Sequence, residues 1–453
     1  MSKAQLTFCG GAGEVTGSNF LLQTGEANIL VDCGLFEGCA TCGDKNIDPF
    51  PYDPKKIDAL FVTHPHVDHV GRIPKLVKEG FRGVIYSLPP TKDIVEIVYA
   101  DALEIMREET ARTGTPFLYG PEDVRQTLAL WETKEYHTPF VVKDLTISFK
   151  NSGHVLGSAM VEIARGGKKV VFTGDLGNFP SPLLPDPDSV TDADYLVMES
   201  VYGDRNHEER NERRSRLEDI IEETSRNKGV LMIPAFSLER TQAILYEIER
   251  MVEERRVPRM PVFLDSPLAI KITDIYKKYT SYFNKSAGME AKDGSGIFSF
   301  AELSFTRTSD ESKRIVEVPA PKIIIAGGGM SEGGRIVFHE KRYLPEAKNT
   351  LLIMGYQAPG TRGREIEDGA KIIEIFGEKV PVKARVLSIS GYSAHMDSER
   401  LLEFVANDTD AAKRIFVVMG EPKSAFFLTQ RIRDYLGLDA VAPQQGDTFT
   451  IDF

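Results

Sequence analysis

Of 453 residues only four are cysteine, and Cys9, Cys33, Cys39 and Cys42 all fall within the first 42 positions. So few thiols make a disulfide scaffold improbable, and a reducing cytoplasm fits this usage best. No uninterrupted apolar run reaches the roughly 18 residues of a membrane span, so no membrane partner is expected. The opening Met1-Ser2-Lys3-Ala4-Gln5-Leu6-Thr7-Phe8 enters a strand-like run without the charged-then-apolar preamble of a signal peptide. Positive charge is also short: 55 Lys and Arg against 67 Asp and Glu leave a net charge of −12. That argues against binding nucleic acid through general positive charge. It leaves room for a nuclease, because a metal centre supplies local positive charge and arginines can line one cleft. Repeats, low-complexity tracts and disordered linkers are absent. Cys39-Ala40-Thr41-Cys42 has the two-residue gap of a zinc knuckle or redox pair. Either role needs that pair, or all four thiols, to converge, and ordinary loop thiols are the default.

Histidine is scarce too, with eight in the chain and none after His395. Three of them sit in His64-Pro65-His66-Val67-Asp68-His69, directly after the apolar run Leu60-Phe61-Val62. Pro65 argues against a helix interior or a central strand, which places the cluster on a loop at a strand's end. Imidazole and carboxylate are the ligands that hold zinc while leaving a position open for water, as in catalytic sites. Downstream, His154 stands in Asn151-Ser152-Gly153-His154-Val155-Leu156-Gly157-Ser158, and Thr173-Gly174-Asp175 follows Val170-Val171-Phe172. Upstream, Ile29-Leu30-Val31 runs into Asp32, which alone reads as a turn residue.

A hydrophobic content of 42% and a charged content of 27% are those of a soluble globular protein. At this length two domains are expected. Strand-like runs at 27–31, 58–62, 169–172, 229–233, 322–325, 350–354, 384–389 and 415–419 alternate with amphipathic stretches. Such alternation is an α/β signature. Thr241–Glu254 has helical spacing at Ile244, Ile248, Met251 and Val252. The charged run Glu208–Asn227 reads as a solvated helix with one apolar face of Leu217, Ile220, Ile221 and Thr224.

The ordered motifs Asp32, His64-x-His66-x-Asp68-His69, His154 and Asp175 resemble those of the metallo-β-lactamase superfamily. Met198-Glu199-Ser200-Val201-Tyr202-Gly203 and Ser393-Ala394-His395-Met396-Asp397 are similar to motifs of its β-CASP ribonucleases, in the compact bacterial and archaeal form. The resemblance starts at Cys9-Gly10-Gly11-Ala12-Gly13-Glu14-Val15-Thr16-Gly17-Ser18 and runs almost to the C-terminus. It implies an α/β chain, a metallo-β-lactamase αββα sandwich with an inserted α/β β-CASP domain. The lactamase domain would occupy 1–203 and 386–453, with the insertion at 204–385 and the active site in the cleft between them. No extra C-terminal domain and no N-terminal RNA-binding module are expected.

The same resemblance implies two zinc sites. His64, His66 and His154 would hold one, Asp68 and His69 the other, and Asp175 would bridge them, with Asp32 orienting the ligand loop from behind. Asp68, Glu199 and His395 would be the catalytic residues, Glu199 and His395 hydrogen-bonding across the cleft. RNA is the expected substrate, cut to 5′-phosphate and 3′-hydroxyl ends, by a monomer or homodimer. Gly327-Gly328-Gly329-Met330-Ser331-Glu332-Gly333-Gly334-Arg335 holds five glycines in nine residues. It reads either as a cradle that brings backbone N–H groups to a phosphate or as a tight connector. The expected RNA contacts are Gly328, Gly329, Ser331, Gly333, Gly334 and Arg335, with Arg362 and Arg364 from the stretch Gly355–Arg364. The alternative is that these arginines pair with the chain's own carboxylates.

One motif departs from the family. Where a His-Gly-Glu follows a strand, this chain has Val418-Met419-Gly420-Glu421. Met419 is a degenerate ligand position, because a thioether is soft, uncharged and poorly suited to zinc. The second metal is therefore expected to be weaker. Besides an active ribonuclease, two readings stay open: a weakly active or inactive RNA-binding or assembly protein, and a small-molecule metallohydrolase.

Overall fold

The computed structural model describes residues 3–38, 42–207, 210–292, 296–355, 357, 360–408 and 412–453, with 210, 211 and 408 described by backbone alone. They form two compact units. The first comprises Met1–Phe179, Pro185–Asn206 and His395–Phe453, and the second Pro180–Leu184 and His207–Ala394.

The first unit contains two seven-stranded sheets. One joins β1 (Lys3–Gly10), β2 (Asn19–Gln23), β3 (Asn28–Val31), β4 (Ala59–Phe61), β5 (Val84–Ser87) and β6 (Trp131–Thr133) in sequence order. The C-terminal β22 (Thr448–Asp452) pairs antiparallel with β1. The other sheet joins β7 (Phe140–Val142), β8 (Leu145–Asn151), β9 (Ala159–Arg165), β10 (Lys168–Phe172) and β11 (Tyr195–Glu199). It continues into β20 (Arg414–Val418) and β21 (Ala440–Val441). Strand alternation decides which side chains meet between the sheets. Phe8 faces Phe416 at 5.3 Å, Phe20 faces Phe172 at 6.0 Å and Phe61 faces Phe149 at 6.4 Å between ring centroids. Each such buried ring contributes about 1.5–3 kcal/mol. The intervening residues point outward under helices. Leu21, Leu30 and Leu60 pack with Ile73, Leu76, Val95 and Tyr99, while Val171, Leu196 and Val417 pack with Leu401, Val405 and Leu428. This is an αββα sandwich.

The second unit is built on a six-stranded sheet in the order β14 (Leu303–Phe305), β13 (Val262–Asp265), β15 (Lys322–Gly327), β12 (Val230–Ala235), β16 (Thr350–Ile353) and β19 (Arg385–Ser388). All its pairings are parallel. β12 is buried at every position, the continuous apolar run expected when helices cover both faces of a parallel sheet. The expected helices form at Arg210–Arg226 and Arg240–Glu253. The former buries Leu217, Ile220, Ile221 and Thr224. A hairpin of β17 (Ile372–Ile375) and β18 (Glu378–Pro381) completes the unit.

Cys9 and Cys33 are buried free thiols. Cys42 is disulfide-bonded, which departs from the default of ordinary loop thiols. Cys39 lies outside the described residues, as do Tyr356, Ala358 and Pro359 of the stretch before Arg362. Among the described residues no helix is long and apolar enough to cross a membrane.

Candidate metal centre

The parallel strands of the first unit deliver the chemistry to their C-terminal ends, where ligands gather in open α/β sheets. Asp32 follows β3, the histidine cluster follows β4, Asp175 follows β10, and Glu199 closes β11. His154 follows β8, which runs with β10 because β9 is antiparallel to both. The cluster begins on a loop, as expected, but Asp68 and His69 already belong to a short helix, Val67–Val70, with His66 at its N-cap.

Four ligand atoms converge. His64 Nε2 lies 3.0 Å from His66 Nδ1, which lies 3.3 Å from His154 Nε2. Asp175 Oδ2 is 3.3 Å from His64 Nε2 and 3.4 Å from His154 Nε2. Beside this quartet, His69 Nε2 lies 3.4 Å from Asp175 Oδ1 and 3.8 Å from Asp68 Oδ2. His69 Nε2 and Asp175 Oδ1 are buried without a hydrogen-bond partner. Orphaned buried polar atoms are costly, and two of them facing each other beside an imidazole cluster fit a cation between them.

The supporting contacts fix which nitrogen of His64 and of His69 faces inward. Asp32, fully buried, lies 2.7 Å from His69 Nδ1 and accepts hydrogen bonds from Ser18 Oγ, Thr63 N and Thr63 Oγ1. Thr63 Oγ1 in turn lies 3.0 Å from His64 Nδ1. Both Nδ1 atoms are thereby occupied, leaving the Nε2 lone pairs for the centre, the arrangement that orients metal-bound histidines. Thr63 and Ser18 were not singled out in the sequence, although Thr63 directly precedes the histidine motif.

Electrostatics follow burial and neighbours. Burial, then repulsion from His64, holds His66 well below the ordinary imidazole range, and burial, then repulsion from His395, does the same for His154. His64 is lowered by burial and by His69. Burial alone would lower His69, yet Asp175, Asp32 and Asp68 together raise it well above the usual range. Three carboxylates around one ring call for positive charge at this point. Burial disfavours ionised Asp175, but His69 and His64 hold it well below the carboxylate range. Asp68 is raised by burial, against the pull of His69.

His395 and Glu199 stand at the cluster's edge. His395 Nδ1 is 3.2 Å from both Glu199 carboxylate oxygens and 3.9 Å from Asp175 Oδ2. Glu199 is fully buried and accepts the backbone N–H groups of Leu176 (2.6 Å) and Val201 (3.3 Å). Burial raises its pKa, opposed by His395. The pair, expected to hydrogen-bond across the cleft, lies within the first unit.

Met419 sits just past β20 at φ 46°, in the left-handed region. Its N–H donates to the Gly11 carbonyl at 2.7 Å. Its thioether packs on Gly11, where an added Cβ would come within 2.4 Å of the sulfur. Glycine at 11 is the space that this side chain fills.

The glycine loop of the second unit is folded on itself. A Cβ at Gly328 would meet the Gly333 carbonyl at 2.1 Å, and one at Gly334 the Gly327 carbonyl at 2.3 Å. Gly329 lies against the Phe236 ring, whereas Gly333 faces open space. Ser331 is buried and donates to Glu340 at 2.5 Å. Arg335 donates to Asp265 (2.7 Å) and to the Thr306 carbonyl. Arg362 donates to the carbonyls of Ser331 and Glu374, and Arg364 pairs with Asp368 at 2.9 Å. The loop is tightly folded, and Arg335, Arg362 and Arg364 each have partners within the chain.

Comparison with known proteins gives three family matches: the metallo-β-lactamase superfamily over residues 12–220, the Beta-Casp domain over 241–366, and the Zn-dependent metallo-hydrolase RNA specificity domain over 379–443. The chain is 38% identical to ribonuclease TTHA0252 of Thermus thermophilus over 419 residues, covering 92% of this chain and 94% of that protein. It is 31% identical to an RNase J-like protein of Methanocaldococcus jannaschii, covering 98% and 99% of the two chains. It is also 31% identical to transcription termination factor FttA of Pyrococcus abyssi, covering 99% of this chain and 71% of that one. A crystal structure of a protein of unknown function from Enterococcus faecalis V583 shares the fold, with TM-score 0.59, 13% identity and coverage of 99% and 100%.

Proposed function

The chain belongs to the β-CASP ribonucleases of the metallo-β-lactamase superfamily, and from that membership we propose that it hydrolyses RNA with zinc, in cytoplasmic RNA processing or decay. The products are 5′-phosphate and 3′-hydroxyl ends. His64, His66, His154 and Asp175 would hold the first zinc, and Asp68, His69 and Asp175 the second. Bound there, zinc lowers the pKa of water and stabilises charge developing on phosphoryl oxygens.

The observation that carries this reading is the spacing of the quartet. Zinc–nitrogen and zinc–oxygen bonds of about 2.0–2.2 Å set neighbouring ligand atoms of a tetrahedron about 3.3–3.6 Å apart. The spacings of 3.0–3.4 Å lie close to that without any rearrangement of the chain.

The protein's own groups supply orientation and a proton. Asp32 and Thr63 hold His69 and His64 with Nε2 inward. Glu199 accepts from His395 Nδ1, which leaves Nε2 as the atom that carries a proton to the departing 3′ oxygen. A positioned proton donor of this kind is worth roughly 10²–10⁴-fold in rate. Mapping both ends of a labelled RNA after incubation with zinc tests the proposal. Fragments with 5′-phosphate and 3′-hydroxyl ends are expected, and 2′,3′-cyclic phosphates would exclude water as the attacking group.

A second reading, a weakly active member retained for RNA binding or assembly, has one observation in its favour. Met419 offers a thioether where the family supplies an imidazole. RNA binding without cleavage at saturating zinc would favour it.

A further inference from the structure

The second unit carries a cavity of about 610 Å³ of its own, within the size range of small-molecule sites. Its walls come from the segment Ser309–Val316 and from the helix Ile336–Tyr343 with the Arg335 that precedes it. Lys313, Arg335 and Arg342 line it together with His339, Phe338 and Tyr343, and among the described residues no carboxylate does. In a chain of net charge −12, a lining with three permanent cations and no acid selects for an anion.

The cations differ in how they are held. Asp265, fully buried beneath them, accepts from Arg335, Thr306 and Ser312 and lies 2.7 Å from His339 Nε2. Arg335 is therefore paired with a buried carboxylate, and His339 is held against the same group. Arg342 is exposed, and its partner among the described residues is the Tyr343 hydroxyl. Lys313 has only an exposed pair with Asp310 at 3.5 Å, a contact of little energetic weight. Two cations thus remain for a ligand.

The rest of the lining sets the flat rings of Phe338, His339 and Tyr343 beside Ser309, Ser312 and Val316. Phe338 is 63% exposed, and its ring lies 4.9 Å from that of Phe376, which is 58% exposed in the turn between β17 and β18. Tyr343 stacks on His339 with ring planes 11° apart. An inorganic anion would leave these rings in water, and an aliphatic anion would make no use of their flatness. A planar base stacks on them at any sequence, while lysine and arginine together match a phosphate.

We propose that this cavity binds a nucleoside monophosphate, with the phosphate between Lys313 and Arg342 and the base on Phe338. The ligand is either a free mononucleotide or the 5′-phosphorylated end of an RNA, which present the same groups. None of its residues belongs to the metal-ligand set, so the proposal stands or falls separately from the hydrolytic reading.

The test titrates the full chain, stripped of metal by chelation so that nothing is cleaved, with AMP, adenosine and inorganic phosphate. AMP is expected to bind at least about tenfold more tightly than either part. Arg342→Ala and Lys313→Ala should each weaken AMP about tenfold, and Phe338→Ala at least about fivefold. All three side chains are exposed, and circular dichroism checks that the variants fold. Short RNAs with 5′-phosphate or 5′-hydroxyl ends then compete with AMP. Displacement by the phosphorylated RNA alone assigns the site to an RNA end, and displacement by neither assigns it to free mononucleotides. Equal displacement by both, phosphate binding as tightly as AMP, no AMP binding at millimolar concentration, or full affinity in an Arg342→Ala/Lys313→Ala double variant would each overturn the proposal.

Discussion

The histidine cluster of the first unit and the glycine loop of the second both gather residues suited to binding, yet they differ in what remains unsatisfied. In the cluster, four ligand atoms crowd within 3.0–3.4 Å, and His69 Nε2 and Asp175 Oδ1 are buried with no partner. Around the loop, Arg335, Arg362 and Arg364 already donate to Asp265, to carbonyls and to Asp368. The difference teaches that residue type alone does not mark a site. Buried polar atoms without a hydrogen bond occur beside both, Glu340 Oε2 at the loop among them, so it is the convergence of imidazole and carboxylate atoms on one point that asks for a cation.

Breaking the unsatisfied side of this comparison should have the largest effect. His154→Ala removes a quartet member and should abolish both metal retention and cleavage. That loss should exceed the roughly 10²–10⁴-fold that proton delivery is worth, as measured by elemental analysis and RNA cleavage on one preparation. His395→Ala comes next. Turnover should fall within that 10²–10⁴-fold range while KM for RNA changes little, because the proton is needed mainly in the transition state. Unchanged turnover with a raised KM would make His395 a substrate-holding group.

Met419→His sharpens the comparison inside the cluster itself. An added imidazole at the end of β20 should tighten the second metal by about 10–100-fold, the scale on which even outer ligand partners act. The substitution must fit the space beside Gly11 that the thioether fills. Metal titration of folded variant and wild type reads the difference.

On the satisfied side the effects should appear in stability. Arg335→Met removes one of the donors to buried Asp265 and should cost roughly 1–3 kcal/mol in urea unfolding. Burial alone would raise Asp265, but hydrogen bonds from His339, Ser312, Thr306 and Arg335 bring it from 3.8 down to about 2. A depressed folded-state value stabilises above the unfolded-state value. That contribution, about 2 kcal/mol, is complete above pH 4 and lost as pH falls from about 4 to 2. In Arg335→Met this acid-limb slope should shrink. Arg364→Ala, which breaks an exposed pair with Asp368, should change stability by under about 0.5 kcal/mol. It should also leave RNA affinity and its salt dependence nearly unchanged, and a clear loss of either would make Arg364 an RNA contact.

Much of the centre was legible because its signals are local. His64, His66, Asp68 and His69 share one turn of chain, and Asp32, Asp175 and Glu199 each end a run of apolar strand residues. The fold class followed from the alternation of strand-like and helix-like runs, and β2, β12 and β15 are each buried on both faces, as strands covered on two sides are. What stayed hidden depends on partners distant in sequence. Nothing near Arg335 announces Asp265, 70 residues earlier, and His339 shares that carboxylate. Thr63 was passed over because a threonine before a histidine motif has no signal of its own until Asp32 is brought against it.

The central claim is that the quartet forms a tight metal site and that Met419 leaves its neighbour weaker. Counting zinc by equilibrium dialysis in wild type, His154→Ala and Met419→His tests it most directly. The expected result is one tight and one weak equivalent in wild type, loss of the tight one in His154→Ala, and two tight equivalents in Met419→His. A wild type that holds two zinc ions equally tightly, or that cleaves RNA while binding none, would contradict it.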